Sequence, residues 1–180
     1  MKNILVCAAM ALMLSGCAAA AIQGASRAKD QAVIAANETE AEAGDAAAQY
    51  KLGNAHCCTI AGAVGVLNNQ EATHWFCKAA AQNNADAQYE LGRIYSGDLV
   101  RGMNGPAKIG ALLTEQPENK PLALMWFNLA AANGNKDAGE KANSLSRDMT
   151  PAELAESQLR QRSPQTQACE WNDVYPDHKI

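Results

Sequence analysis

The residues able to do chemistry lie in two short runs, His56-Cys57-Cys58 and His74-Trp75-Phe76-Cys77, with Cys169 alone near the end of the chain. Thiols and imidazoles at such spacing can bridge as disulfides, stay as free thiols, or ligate zinc or copper. His74 and Cys77 are three residues apart, so a helix sets both on one face. If the helix ending at His56 packs antiparallel to it across a long loop, the two runs meet. Three chemistries then compete. The first is structural bridging, with Cys77 joined to Cys57 or Cys58 and Cys169 to the other. The second is free or mixed thiols. The third is a His/Cys metal site, weakened because the spacing matches no paired C-x-x-C motif. Catalysis has less support. No nucleophilic serine motif stands beside His56, His74 or His178, and H-E-x-x-H, a Walker loop and G-x-G-x-x-G are absent from the sequence. Gly62-Ala63-Val64-Gly65 reads as loop, and the carboxylates are spread singly. The expectation is no catalytic, cofactor-binding or metal residue and no cofactor.

The elements that position these residues repeat. Trp75-Phe76 and Ala79-Ala80-Ala81 return 51 residues later as Trp126-Phe127 and Ala130-Ala131-Ala132. Ala48-Gln49-Tyr50 and Leu52-Gly53 return 39 residues later as Ala87-Gln88-Tyr89 and Leu91-Gly92. Such self-similarity marks stacked units, none of which can bury its apolar face alone. Spacing by four puts Ala48, Leu52 and His56 on one helix face, and likewise Ala87, Leu91 and Tyr95. Asp45 is placed to cap the first of these helices. Gly53 and Gly92 each cost about 1 kcal/mol of helix propensity relative to Ala. Their recurrence predicts that something packs directly on the backbone. The partner helices are expected over about 69–83 and 120–133, ended by Asn83-Asn84 and Asn133-Gly134-Asn135. Residues 27–43 read as a preceding helix. Ala138, Ala142 and Leu145 share a face of a following one. Thr150, Pro151 and Glu153 spell a capping box for a last helix. Residues 163–180 read as an irregular tail, and 97–120 as an enlarged loop holding Leu112 and Leu113.

Ala-x-x-x-Leu-Gly-x-x-Tyr, a loop, then Ala-x-x-Trp-Phe-x-x-Ala-Ala is similar to the Sel-one-like repeat family, relatives of the tetratricopeptide repeats. The motif falls on Ala48, Leu52, Gly53 and His56 with Ala72, Trp75, Phe76, Ala79 and Ala80. It falls again on Ala87, Leu91, Gly92 and Tyr95 with Ala123, Trp126, Phe127, Ala130 and Ala131. His56 departs from the family's tyrosine. The resemblance implies an all-α fold, a short right-handed α-solenoid of two repeats over 44–139. An N-terminal cap helix over 27–43 and C-terminal cap helices over 140–162 would flank it. It also implies an adaptor that binds a protein or peptide. The first-helix face (Gln49, Tyr50, Gln88, Tyr89) and the loop leucines, Leu112 and Leu113, are the expected partner surface.

The N-terminus suggests an address. Lys2 precedes an apolar run over Ile4–Leu14, too short to span a bilayer, which needs roughly 20 residues. Leu14-Ser15-Gly16-Cys17 resembles the lipobox of bacterial lipoproteins. The resemblance implies a signal peptide over 1–16, diacylglycerol on the Cys17 sulfur and an acylated (palmitate-type) amino group. Residues 17–26 would form a flexible tether. Ala18, not aspartate, implies the outer membrane on the periplasmic side, with the inner membrane as the alternative. Losing Lys2 takes the formal charge from −4 to −5, which argues against nucleic acid as partner. An exported, oxidising compartment favours disulfides among Cys57, Cys58, Cys77 and Cys169. The function expected is a membrane-anchored scaffold for an envelope protein or peptide. The alternatives are a cell-wall or beta-lactam-acting enzyme, or a thiol or metal protein built on His56, Cys57, Cys58, His74 and Cys77.

Overall fold

The computed structural model describes residues 28–57, 60–61, 66–67, 69–98 and 117–177. Among these, eight helices follow in order: α1 (28–42), α2 (Ala46–His56), α3 (Asn69–Ala81), α4 (Ala85–Tyr95), α5 (Lys120–Ala132), α6 (Ala138–Arg147), α7 (Pro151–Gln161) and the single turn α8 (Trp171–Val174). The only strands among the described residues are Ile60–Ala61 and Val66–Leu67. They pair antiparallel in the loop between α2 and α3, with Ile60 opposite Leu67.

One junction is used three times. Gly44, Asn83 and Gly134 all have positive φ, at 103°, 62° and 101°. Each lies two residues past a helix, where a left-handed residue ends the helix by turning the chain back on itself. The next residue closes the turn: the amides of Asp45, Asn84 and Asn135 donate to the carbonyls of Glu40, Ala79 and Ala130 at 2.9, 3.2 and 2.9 Å. Asp45 and Asn84 are also the N-caps of α2 and α4; α6 instead follows Asp137, with Asn135 placed like the other two toward its first turn. The side chains of Asp45, Asn84 and Asn135 accept from the amides of Ala48, Ala87 and Ala138 at 2.7, 2.9 and 3.0 Å. Asp45 and Asn84 therefore each end one helix and cap the next, which fixes the angle between those units locally.

Glycine sets the distance between helices. A Cβ built on Gly53 or Gly92 would stand 2.5 Å from a ring carbon of Phe76 or Phe127. The rings lie on the backbone of α2 and α4, as the recurring glycines predict. Both phenylalanines are buried, and each contributes roughly 1.5–3 kcal/mol by leaving water. Ala72, Ala79, Ala87, Ala123 and Ala130 are fully buried around them and let the helices approach. Leu52, Leu91, Ile94, Leu122 and Met125 fill the remaining core.

The enlarged loop leaves and returns at one point. The amide of Asn119 donates to Tyr95 O at 2.8 Å. Arg93, itself buried, bonds Glu90 Oε2 at 3.2 Å and the Asp98 carbonyl at 3.1 Å, while Lys141 reaches Asp98 Oδ2 at 2.7 Å. The capping box at α7 forms as its sequence spells it: Thr150 Oγ1 accepts from the Glu153 amide, and the Thr150 amide donates to Glu153 Oε2. Among the described residues no helix is long and apolar enough to cross a membrane.

Candidate functional site

The reactive residues assemble, though not as expected. Cys77 on α3 is bonded to Cys169 in the tail, across 92 residues of sequence. This corrects the expected pairing of Cys77 with Cys57 or Cys58. The tail crosses α3 at the very turn that carries His74 and Cys77, and a sulfur on that turn meets the nearest thiol presented to it. Cys57 is disulfide-bonded as well, to a partner outside the described residues, where Cys58 also lies. Cys57 and Cys77 therefore hold no free thiol for a thiol or metal centre. His74 Nδ1 faces Glu170 Oε1 at 3.0 Å, and His56 is half-buried at the end of α2. Among the described residues no three His, Cys, Asp or Glu side chains are grouped to hold a metal ion.

The tail is held as a bound peptide would be. Tyr95 Oη donates to the Cys169 carbonyl, and the Trp171 amide donates to Thr73 Oγ1 at 2.9 Å. Gln70 Nε2 donates to Asn172 Oδ1 at 2.8 Å. Trp171 is 2% exposed and belongs to the main core with Phe76, Leu91 and Tyr95. Its ring meets Tyr175 edge-on, with centroids 4.7 Å apart. Burial, and then the neighbouring Tyr175, Glu170 and Asp173, hold the Tyr95 phenol well above its ordinary range, so it remains a neutral donor. Burial raises Tyr175 likewise. The segment expected to be irregular contains a 3-10 turn (Pro164–Thr166) and α8, and it completes the core. Thr73, Glu170 and Trp171 make tail contacts that the repeat pattern does not mark. A tryptophan isolated in a polar tail was the available signal.

Beside the bridge lies a partly open cavity of about 180 Å³, between α3, α5 and the tail. Cys77, Ala80, Trp126, Leu129, Gln167 and Cys169 are among its lining residues. Trp126 is buried there, whereas Trp75, its repeat equivalent, is half-exposed under the Lys78 ammonium, 4.5 Å from the ring centroid.

The expected partner surface is corrected at two of its six residues. Gln49 and Gln88 are buried. Gln49 Nε2 donates to Ala41 O at 3.0 Å and its Oε1 accepts from Gln82 at 2.9 Å. Gln88 repeats this with Ala80 O at 3.1 Å and Asn133 at 2.8 Å. They are staples between successive units, because a helix end buried in the stack leaves a carbonyl that needs a donor. Tyr50 and Tyr89 are half-buried, lying against Phe76 and Phe127 with centroids 6.0 and 5.7 Å apart. Leu112, Leu113, Cys17 and the tether lie outside the described residues.

Helical hairpins joined by like junctions, two of them sealed by an aromatic ring on a glycine, define a short α-solenoid. Within that class the chain is a Sel1-repeat protein. The Sel1 repeat family model matches residues 46–84, 85–102 and 110–135. The first segment covers α2 and α3. The second and third hold α4 and α5, on either side of the enlarged loop. The solved structure of a protective antigen present in uropathogenic Escherichia coli strains, displaying an SLR fold, is 26% identical with a TM-score of 0.53. The similarity covers 78% of this chain and 29% of that one, so the chain spans under a third of that relative's length. Comparison with curated proteins gives no match. Sel1-repeat proteins are generally protein-interaction scaffolds, and their fold is typically non-enzymatic.

Proposed function

We propose that this protein is a lipid-anchored scaffold of the bacterial envelope. In this reading Cys17 holds it to the outer membrane, and the solenoid faces the periplasm to bind a protein or peptide. The observation that carries the binding role is the stack itself. Its recurring residues are spent on junctions, ring-on-glycine seats and glutamine staples, which make a rigid frame for a docking surface rather than a reaction centre. The bridge from Cys77 to Cys169 supports an oxidising compartment, where such bonds persist. The Leu14-Ser15-Gly16-Cys17 run supports the anchor, since two or more acyl chains hold stably where one does not.

Two measurements test this. Replacing Cys17→Ser should move the protein from the membrane pellet to the soluble fraction; a variant that still pellets would remove the anchor. Cross-linking in intact envelopes should give discrete adducts absent from an unrelated lipoprotein of similar abundance. Adducts no different from that control would overturn the scaffold role.

A further inference from the structure

The tail is bound through its main chain as much as through its side chains. Two of its backbone groups, the Cys169 carbonyl and the Trp171 amide, are met by side chains of the solenoid, Tyr95 and Thr73. Glu170, between them, is met by His74, and Trp171 fills the apolar seat. Side chains that satisfy a peptide's backbone while a pocket takes one large residue are the elements of peptide recognition. Only one turn of helix organises this segment, so its order comes from the face it lies on. We propose that residues 169–175 are a resident peptide ligand on an interaction face built by α3 and α4. The Cys77–Cys169 bridge holds this face closed. Once vacated, it accepts partner segments in which an acidic residue directly precedes tryptophan. The proposal deepens the scaffold reading by naming its surface and the chemistry of its partner.

The release step balances. Both cysteines of the bridge are half-buried and line a partly open cavity, so an external dithiol can reach a sulfur. Its thiolate attacks one sulfur, forming a mixed disulfide and expelling the other cysteine as thiolate. The second thiol of the reductant then closes its own disulfide and expels the first cysteine. The dithiol loses two electrons, and Cys77 and Cys169 end as thiols after taking up two protons. The tail remains tethered through residues 162–168, so it still competes for the face at high effective concentration. In the reduced wild-type chain a partner segment must therefore outcompete the tethered tail, and replacing Trp171 removes that competitor.

The test uses the full-length chain carrying Cys17→Ser and a labelled peptide of residues 168–177 in which Cys169 is serine. Fluorescence anisotropy should show no binding to the oxidised protein. It should show saturable binding to the chain carrying Cys169→Ser with Trp171→Ala, with at least tenfold more peptide bound than by the oxidised form at equal concentration. A peptide with Trp171→Ala should lose at least tenfold, and one with Glu170→Gln should lose affinity measurably. No binding to the vacated chain, with its helical circular dichroism intact, overturns the proposal. If that variant does not fold, hydrogen exchange on the reduced wild-type chain decides. Amides of 169–175 should lose protection at least tenfold more than those of α2–α5; equal loss makes the tail merely structural. Light scattering on the reduced chain closes a last route: a dimer with no peptide binding would mean that the tail of a second copy is the occupant, and would overturn the foreign-peptide reading. Failure here leaves the envelope cross-linking result standing, so the two readings fail separately.

Discussion

Replacing Gly92→Ala tests the seat that spaces the helices. The new Cβ would lie 2.5, 2.6 and 2.9 Å from Cδ1, Cε1 and Cγ of Phe127. Carbon atoms pack best at about 3.5–4.0 Å, so ring or helix must move by about 1 Å. Phe127 is 1% exposed and is backed by Leu124, Ala142 and Met149, which leaves the ring nowhere to go. Overpacking of this kind costs about 1–3 kcal/mol, and alanine returns about 1 kcal/mol of helix propensity. With the ring blocked, the loss should sit in the upper half of its range, for a net destabilisation of about 1–2 kcal/mol. At roughly 2–4 °C per kcal/mol for a chain of this size, the midpoint should fall by about 2–8 °C. Gly139→Ala is the control, since a Cβ there meets nothing within 4 Å. It should stabilise by a few tenths of a kcal/mol up to about 1 kcal/mol. Thermal and urea unfolding of both variants measure the contrast. Phe127→Leu should relieve part of the Gly92→Ala loss, giving a coupling of about 1 kcal/mol in a double-mutant cycle. A Gly92→Ala protein as stable as wild type, or a cycle with no coupling, would refute the packing argument.

Further outcomes follow from named contacts. Gln88→Ala should cost about 2 kcal/mol in urea unfolding, because Ala80 O and Asn133 lose a buried partner; Gln49→Ala should behave alike, through Ala41 O and Gln82. Thr150→Ala should cost about 1 kcal/mol by removing a cap from α7. Hydrogen bonds from the backbone and side chain of Thr150 hold Glu153 below the usual carboxylate range. A carboxyl depressed in the folded state gives stability that is present above its unfolded pKa and lost as pH falls through the folded one. The midpoint of wild type should therefore fall more steeply than that of Glu153→Gln as the pH drops below about 4.3. Tyr95→Phe should cost about 1 kcal/mol and raise hydrogen exchange in the tail, since the phenol holds the Cys169 carbonyl.

The repeats were legible because their rules are local. Gly53 and Gly92 announced a close approach, and the rings of Phe76 and Phe127 make it. Asn83-Asn84 and Gly134-Asn135 announced helix ends, and Asn84 also caps the next helix. The third unit can be followed by register: Gly139 stands where Gln88 would staple, and Asn143 where Gly92 would seat a ring, so the pattern fades after Ala138. Gln49 and Gln88 misled because a polar residue beside a tyrosine looks like surface. Only the stack shows that each faces the carbonyl of a preceding helix end. The bridge to Cys169 was one of three connectivities, and spacing along a chain carries no information on how a tail folds back over 92 residues. Trp171 was missed for the same reason, since its seat is made by residues about 75 to 100 positions earlier.

The single hydrogen bond between Tyr95 and Asn119 has a consequence for engineering. It brings the two stems of the enlarged loop together before the loop begins, with Asp98 pinned to Arg93 and Lys141 on one side and α5 capped by Asn119 on the other. Doubling the intervening length costs only about 0.6 kcal/mol of closure entropy. A foreign cassette placed between Asp98 and Pro117 should leave the register of α4 and α5 unchanged. Thermal unfolding of such a chimera should then match that of the parent, and a lowered midpoint would show that the native insert contributes to the stack.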